Sequence, residues 1–436
     1  MFSAFAQAFR TPDLRRKLLF TLMIMGLFRM GSFIPTPGVD SVAISTCLAQ
    51  QDQSSLLDLV NLFSGGALMQ LSVFALGIMP YITASIIIQL LRVVIPRFDD
   101  LHKEGQTGQS TLTQYTRYLT IFLGVLQSTT MISLARSGQL FPGCSEDIIS
   151  DRSVTGFLIM LIVMTAGTAV IMWLGELVTE RGIGNGMSLL IFTSITATLP
   201  AHLFSIGRGG GWAKVGVIVL IILAIAIAVV FVEQSQRRIP VQYAKRMVGR
   251  RQYGGSTTYI PLKINMSGVI PVIFASSLLA LPPMVAQFGD RTASGGTNPE
   301  WVTWIMTHFN HQSAIYLVIY SVLILFFAFF YTSITFNPEE VADNMKRYGG
   351  FIPGYRAGRP TAEFLRFVIN RITSAGALYL VVVALLPTLL MIPLDLTNTQ
   401  LPFGGTTLLI IVGVGLQTVK EINTQLQQHH YEGFLR

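Results

Sequence analysis

Gly77-Ile-Met-Pro-Tyr-Ile-Thr-Ala-Ser85 and Gly268-Val-Ile-Pro-Val-Ile-Phe-Ala-Ser276 carry one pattern twice. Aligned without gaps, they share Gly, Pro, Ile, Ala and Ser at the same places. Each copy lies early in a long apolar run, the first in the second run of the chain and the other in the seventh. That step of five is odd. If the runs cross a membrane, the two copies cross it in opposite directions. This is the arrangement of an inverted repeat, in which a pathway forms at the seam between halves.

The rest of the chain supports the membrane premise. Of its 436 residues 51% are hydrophobic and only 12% are charged, about half the charge of a soluble domain. The apolar runs occur at about 18–35, 73–95, 118–135, 154–178, 183–203, 212–232, 266–287, 314–335, 372–394 and 404–420. They are near the length of a membrane-crossing helix, not the ten-residue alternation of a barrel strand. No small-residue cleavage site follows the first run, so it reads as a retained span and not as a signal peptide.

Basic residues alternate between the connections. Of the 30 Lys and Arg residues, 23 fall on one side and five on the other, with Arg29 and Arg92 inside runs. By the positive-inside rule this puts both termini in the cytoplasm and supports ten spans. Arg92, near a span end, reaches the interface by snorkelling.

Three connections are unusual. Residues 36–72 contain an apolar segment too short to span, from Ser55 to Gly66, with Asp58 in its first turn and a break at Phe63-Ser-Gly-Gly66. It reads as a re-entrant segment. The alternative is an amphipathic helix on the membrane surface, against which the lack of Lys and Arg counts. The basic loop 233–265 has aromatics around Gly249 and Gly254-Gly255, the pattern of a hairpin. The basic loop at about 336–371 carries Pro353-Gly354, Tyr355 and Arg356. Turn residues and aromatics between the charges favour docking surfaces over simple lipid attraction, which is worth about 1 kcal/mol per basic residue.

Other chemistry is not indicated. No P-loop is present, so nucleotide hydrolysis is not built in. Gly182-Ile-Gly-Asn-Gly186 lacks dinucleotide spacing. His308 and His311 read as surface residues, and neither cofactor nor metal is expected. Arg29 and Glu176 are rare charges within runs, and no partner for either can be read from the sequence. Their scarcity counts against an ion-coupled solute carrier, the main alternative. An intramembrane enzyme lacks a nucleophile–base set. Cys47 and Cys144, both on the expected outer side, where a bridge is conceivable, read as two free thiols.

Residues 72–91 closely resemble the second-span signature of the SecY family of protein-translocation channels. A second signature match spans Met172 to Ser188, and further matches are Phe63 to Gly66, Lys103 to Gly105, Gln114 to Arg117, Arg237 to Ile239, Gly249 to Arg251 and Phe351 to Gly354. They occur in the family's order over nearly the whole chain. The resemblance implies an all-α polytopic fold of ten transmembrane helices. Two inverted pseudo-symmetric halves, about 1–205 and 206–436, surround an hourglass pore and hinge between the fifth and sixth spans.

The resemblance also assigns residues. Residues 55–71 match the plug helix, through Leu56, Leu59, Val60, Leu62, Phe63, Gly65 and Gly66. The pore ring corresponds to Ile78, Ile82, Met187, Ile191, Ile273 and Ile410. Spacing agrees in part: Ile78 and Ile82, like Met187 and Ile191, are four apart and share a helix face. Ile273 is the repeat-mate of Ile82. Isoleucine is commoner than methionine at position 187. An aliphatic neck resists ions by dewetting and makes no directional bonds to a passing chain. A lateral gate of the second, third, seventh and eighth spans would include Pro80, Thr83, Ser85, Gln127, Pro271 and Phe274. Docking of the SecA motor or the ribosome falls to Arg237, Arg238, Arg250, Arg251 and Arg356, with Ala357 where proline is common. Ribosome docking would touch RNA phosphates and depend on salt. The implied partners are SecE, SecG, SecA, the ribosome, precursor polypeptides and lipid.

Overall fold

The computed structural model describes residues 9–50, 64–136, 138, 140, 148, 149, 151, 153–243, 246–248, 251–253, 257–289, 299–309, 313–391 and 405–432. Each of the ten apolar runs carries a helix. In chain order with the helices between them, these are α1 (Pro12–Gly31), α2 (Ser41–Gln50), α3 (Met79–Val94), α4 (Pro96–Lys103), α5 (Gln106–Arg136), α6 (Val154–Arg181), α7 (Gly186–Gly210), α8 (Trp212–Gln234), α9 (Ile270–Gly289), α10 (Glu300–His308), α11 (Ala314–Thr335), α12 (Pro338–Arg347), α13 (Arg359–Met391) and α14 (Gly405–Glu432).

By length and composition, seven described helices suffice to cross a membrane, and an eighth if α3 and α4 count as one span. That pair is bent by 101°, because Pro96 ends one helix and starts the next. The chain is therefore a multi-pass membrane protein. The run at 73–95 becomes helical only from Met79, since residues 64–78 run mostly as turns. Helices α5 and α13 start well before their apolar runs, at Gln106 and Arg359, so parts of both expected loops are helical.

The repeat has a structural counterpart. Gly77 and Gly268 both have left-handed backbones, with φ of +55° and +63°, a conformation that favours glycine. Pro80 and Pro271 each occupy the second position of the helix that follows, where a missing N–H costs nothing. The two helices pack against each other.

They also run in opposite senses. At one end of the bundle, Lys17 Nζ donates to Gln425 Oε1 at 3.3 Å, and Ile183 N donates to Thr21 Oγ1 at 3.3 Å. Asn265 Nδ2 donates to Glu233 Oε1 at 2.6 Å in the same region, near Lys263 and Lys420. At the other end, Pro35 bridges Ser72 and Val39 bridges Ile149. The approach to α3 therefore begins at the second end and the approach to α9 at the first.

Helix packing in lipid gains little from hydrophobicity and relies on close contact at small residues. A Cβ on Gly167 would lie 2.0 Å from the Val73 carbonyl oxygen, one on Gly376 2.4 Å from that of Ile264, and one on Gly405 2.1 Å from that of Val383. Backbones meet at these three places.

The expected hairpin is present. Strand β1 (Gln236–Tyr243) pairs antiparallel with β4 (Thr257–Lys263), and β2 (Arg246–Val248) pairs with β3 (Arg251–Tyr253). A short strand from the other basic loop, β5 (Gly350–Phe351), joins β1 on its free edge. Ile239, Val241 and Leu262 pack with Met345, Ile352, Leu365 and Val368 in a separate apolar cluster. The two basic loops thus form one unit.

The free-thiol reading is overturned. Cys47 is disulfide-bonded and buried, and Cys144 is the chain's only other cysteine. The cause lies in the outer connections: Asp40 N donates to Ile148 O at 2.9 Å beside the Val39–Ile149 bridge, bringing residues 39–47 to the connection that contains Cys144. Intact protein alkylated without reductant is expected to gain no label, and to gain two labels after denaturing reduction, read by mass. Two labels without reductant would overturn the bridge.

Candidate functional site

The main apolar core draws residues from most of the helices, the six positions assigned to the ring among them. Ile78, Ile82, Ile191, Ile273 and Ile410 are all buried in it, and Met187 packs against it partly buried. Ile78 caps α3, and Ile82 N donates to its carbonyl at 3.1 Å. Met187 and Ile191 follow the Asn185 cap, whose Oδ1 accepts from Met187 N at 3.0 Å and Ser188 N at 3.3 Å. Such a cap satisfies helix-end donors and contributes about 1 kcal/mol. Ile273 N donates to Val269 O at 3.2 Å in the first turn of α9.

Met187 is seated differently from its aliphatic companions. A Cβ on Gly175 of α6 would lie 2.4 Å from the Met187 Sδ. Glycine at 175 leaves the space into which the longer thioether folds.

A small crevice is lined by Leu76, Met79 and Thr83 of the second run, Gln127 and Met131 of α5, and Ser277, Ala280 and Leu281 of α9. Thr83 and Gln127, both assigned to the gate by the resemblance, line this one crevice. Pro80 is buried at the start of α3. Phe274 meets the Phe327 ring of α11 edge-on at 5.7 Å. Ser85 Oγ accepts from Gln89 Nε2 at 3.3 Å within α3 and lines no part of the crevice. The Ser277 hydroxyl, one residue beyond the repeat pattern, is buried there with no hydrogen-bond partner among the described residues.

The intramembrane charges have partners that the sequence did not reveal. Arg117 Nε donates to Glu176 Oε1 at 2.9 Å and Nη2 to Oε2 at 2.7 Å. This bidentate pair joins α5 to α6 and is the stronger geometry for an arginine. Arg29 Nη1 donates to the Gly65 carbonyl, and its guanidinium lies over Phe33 at 4.6 Å. Gly65 and Gly66 have φ of +72° and +87°, so the glycine turn within the segment expected to be the plug is held from α1. Leu56, Leu59, Val60, Leu62 and Phe63 lie outside the described residues.

Arg237 and Arg238 are exposed on β1, opposite Leu262 and Pro261. Arg356 is exposed between Gly354 and Gly358, with φ of +91° and +102°. Tyr355 N donates to Ile352 O at 3.0 Å, closing a turn whose third position needs glycine. Tyr355 stacks on Phe364 at 4.2 Å. Arg251 begins β3, and Arg250 lies outside the described residues.

Known proteins share this sequence and shape. A family model described as SecY matches residues 72–419. The protein translocase subunit SecY of Streptomyces scabiei is 59% identical, with all of both chains covered. That of Mycobacterium tuberculosis is 55% identical over the same full extent. The solved structure of a protein conducting channel superposes with a TM-score of 0.63 at 18% identity, covering 94% of this chain and 91% of that one. Sec61 in a canine ribosome–channel complex gives 0.59 at 17%, with 94% and 91% covered.

Proposed function

The chain belongs to the SecY family, and on that premise we propose that it is the central subunit of a passive channel for unfolded polypeptide. Chain passes outward across the plasma membrane, and hydrophobic segments leave sideways into lipid. The observation that carries this reading is full-length identity of 55–59% to translocase subunits.

Ile78, Ile82, Met187, Ile191, Ile273 and Ile410 form the neck. Aliphatic side chains there exclude ions by dewetting and yield to a threaded chain because they hold it by no hydrogen bonds. The crevice between α3, α5 and α9 is the closed lateral gate, with Pro80, Thr83, Ser85, Gln127, Pro271 and Phe274 along its elements. Residues 55–71 form the plug. The halves 1–205 and 206–436 turn about the junction of α7 and α8, where Gly211 alone separates the helices with φ of +87°.

Both termini are cytoplasmic, as the charge asymmetry requires. The joined basic loops then face the cytoplasm and dock SecA or the ribosome through Arg237, Arg238, Arg250, Arg251 and Arg356. Energy comes from those partners, and SecE and SecG complete the complex. The chain itself performs no chemistry.

Reconstitution with SecA, ATP and a secretory precursor tests the reading. Protease-protected precursor inside the vesicles is the expected result. Ion-coupled uptake of a small solute, with no precursor movement, would overturn it.

A further inference from the structure

Helix α10 lies between α9 and α11 in the sequence and packs on both. Its inner face is fixed by Val302, which is fully buried. Trp301 and Trp304 are three residues apart and so share a helix face. They are 48% and 51% exposed. The Trp304 ring is held in place: it stacks on His308 at 4.9 Å and lies 6.3 Å from the Phe309 ring. His308 Nδ1 lies 2.9 Å from the Trp304 carbonyl oxygen.

The helix has no Lys or Arg, and its one acid is Glu300 in the first turn. Exposed apolar residues continue from it along both neighbours, through Leu278, Leu281 and Val285 on α9 and Ile315, Val318 and Val322 on α11. Large apolar side chains exposed together on neighbouring elements mark a contact surface. Crossing the bilayer puts the flanking residues in hydrocarbon. The indole, apolar in body with one N–H donor, suits the boundary layer where hydrocarbon meets water.

We propose that α10 is an interfacial anchor, lying in the headgroup layer of the outer leaflet with Trp301 and Trp304 as its lipid contacts. Lipid is the occupant because α10 packs on α9 and α11, whose own exposed residues are apolar, and because its exposed face pairs two indoles with no Lys or Arg. The anchor fixes the depth of the α9–α11 pair, so that any separation of α9 from α3 proceeds in the membrane plane. The inference rests on the multi-pass placement and not on the neck or the docking loops.

The full chain contains four tryptophans, the others being Trp173 and Trp212. In a W173F/W212F background, reconstituted into phosphatidylcholine–phosphatidylglycerol vesicles, emission from Trp301 and Trp304 is read against lipid brominated near the headgroup or near the chain end. The expected result is about twofold stronger quenching by the shallow bromines, as an interfacial indole requires, with little quenching by aqueous iodide. If that background fails to assemble, the same quenching is taken as the difference between the unmodified chain and W301F/W304F. Emission open to iodide and untouched by either lipid overturns the anchor, as does stronger quenching by the chain-end bromines.

Discussion

Replacing Ile82 and Ile273 together with glycine is expected to raise the resting ion conductance of the reconstituted channel. Both side chains are buried in the central cluster, at equivalent positions of the repeat. Removing them widens the neck and lets water persist there. A barrier lowered by about 1.4 kcal/mol raises conductance roughly tenfold. Ile82→Val with Ile273→Val keeps branched side chains at both sites and is expected to stay near the resting level. Planar-bilayer recording distinguishes the two. Thermal unfolding in detergent checks that the glycine variant remains folded, since each truncation also leaves a cavity worth about 2–5 kcal/mol. A folded variant with unchanged conductance would mean that these side chains do not line the closure.

Gly186→Ala is expected to have the largest effect of any single methyl added to the chain's central region. The new Cβ would lie 1.9 Å from the Gly175 carbonyl oxygen and 2.8 Å from the Val178 Cβ. A carbonyl on a packed helix cannot move aside, so α6 and the start of α7 must separate. Overpacking of this kind costs about 3 kcal/mol. It also displaces the turn that carries Met187 and Ile191. Gly175→Ala is the informative comparison. Its Cβ meets the Met187 Sδ at 2.4 Å, but that atom sits on a flexible side chain that can swing away. The expected order of damage is Gly186→Ala well beyond Gly175→Ala, measured as loss of heat- and protease-resistant protein. Equal tolerance of both would show that the α6–α7 contact is looser than its backbone positions require.

Much of the architecture was legible before any coordinates. Twenty-residue apolar runs, alternating basic connections and a repeated Gly-x-x-Pro stretch are one-dimensional signals, and each reflects a local cause. The repeated glycines need a left-handed backbone, and the repeated prolines need a helix's first turn. Gly249 and Gly254-Gly255 mark the hairpin through turn preference alone. The family match rested on the same ordered short motifs.

Other features had no local signal. Arg117 and Glu176 are 59 residues apart, and no spacing rule joins them. The crevice combines residues from three segments, and Ser277 enters it only because α9 crosses α3 there. Helix α10 is short enough to look like loop, and its tryptophans carry information only once Val302 is seen to face inward. The cysteine reading failed for the same reason: Cys47 meets its partner because Asp40 and Val39 are tied to Ile148 and Ile149.

By itself, the sequence determined which apolar runs carry helices and the two-fold internal pattern, because these depend on contacts within a few residues and on partition between water and lipid. Only the tertiary structure decided which charges pair, which glycines mark backbone crossings, that the two basic loops share one sheet and that the outer connections are stapled. Those depend on how helices lie against each other, which van der Waals fit and individual polar contacts settle and which no period along the chain encodes.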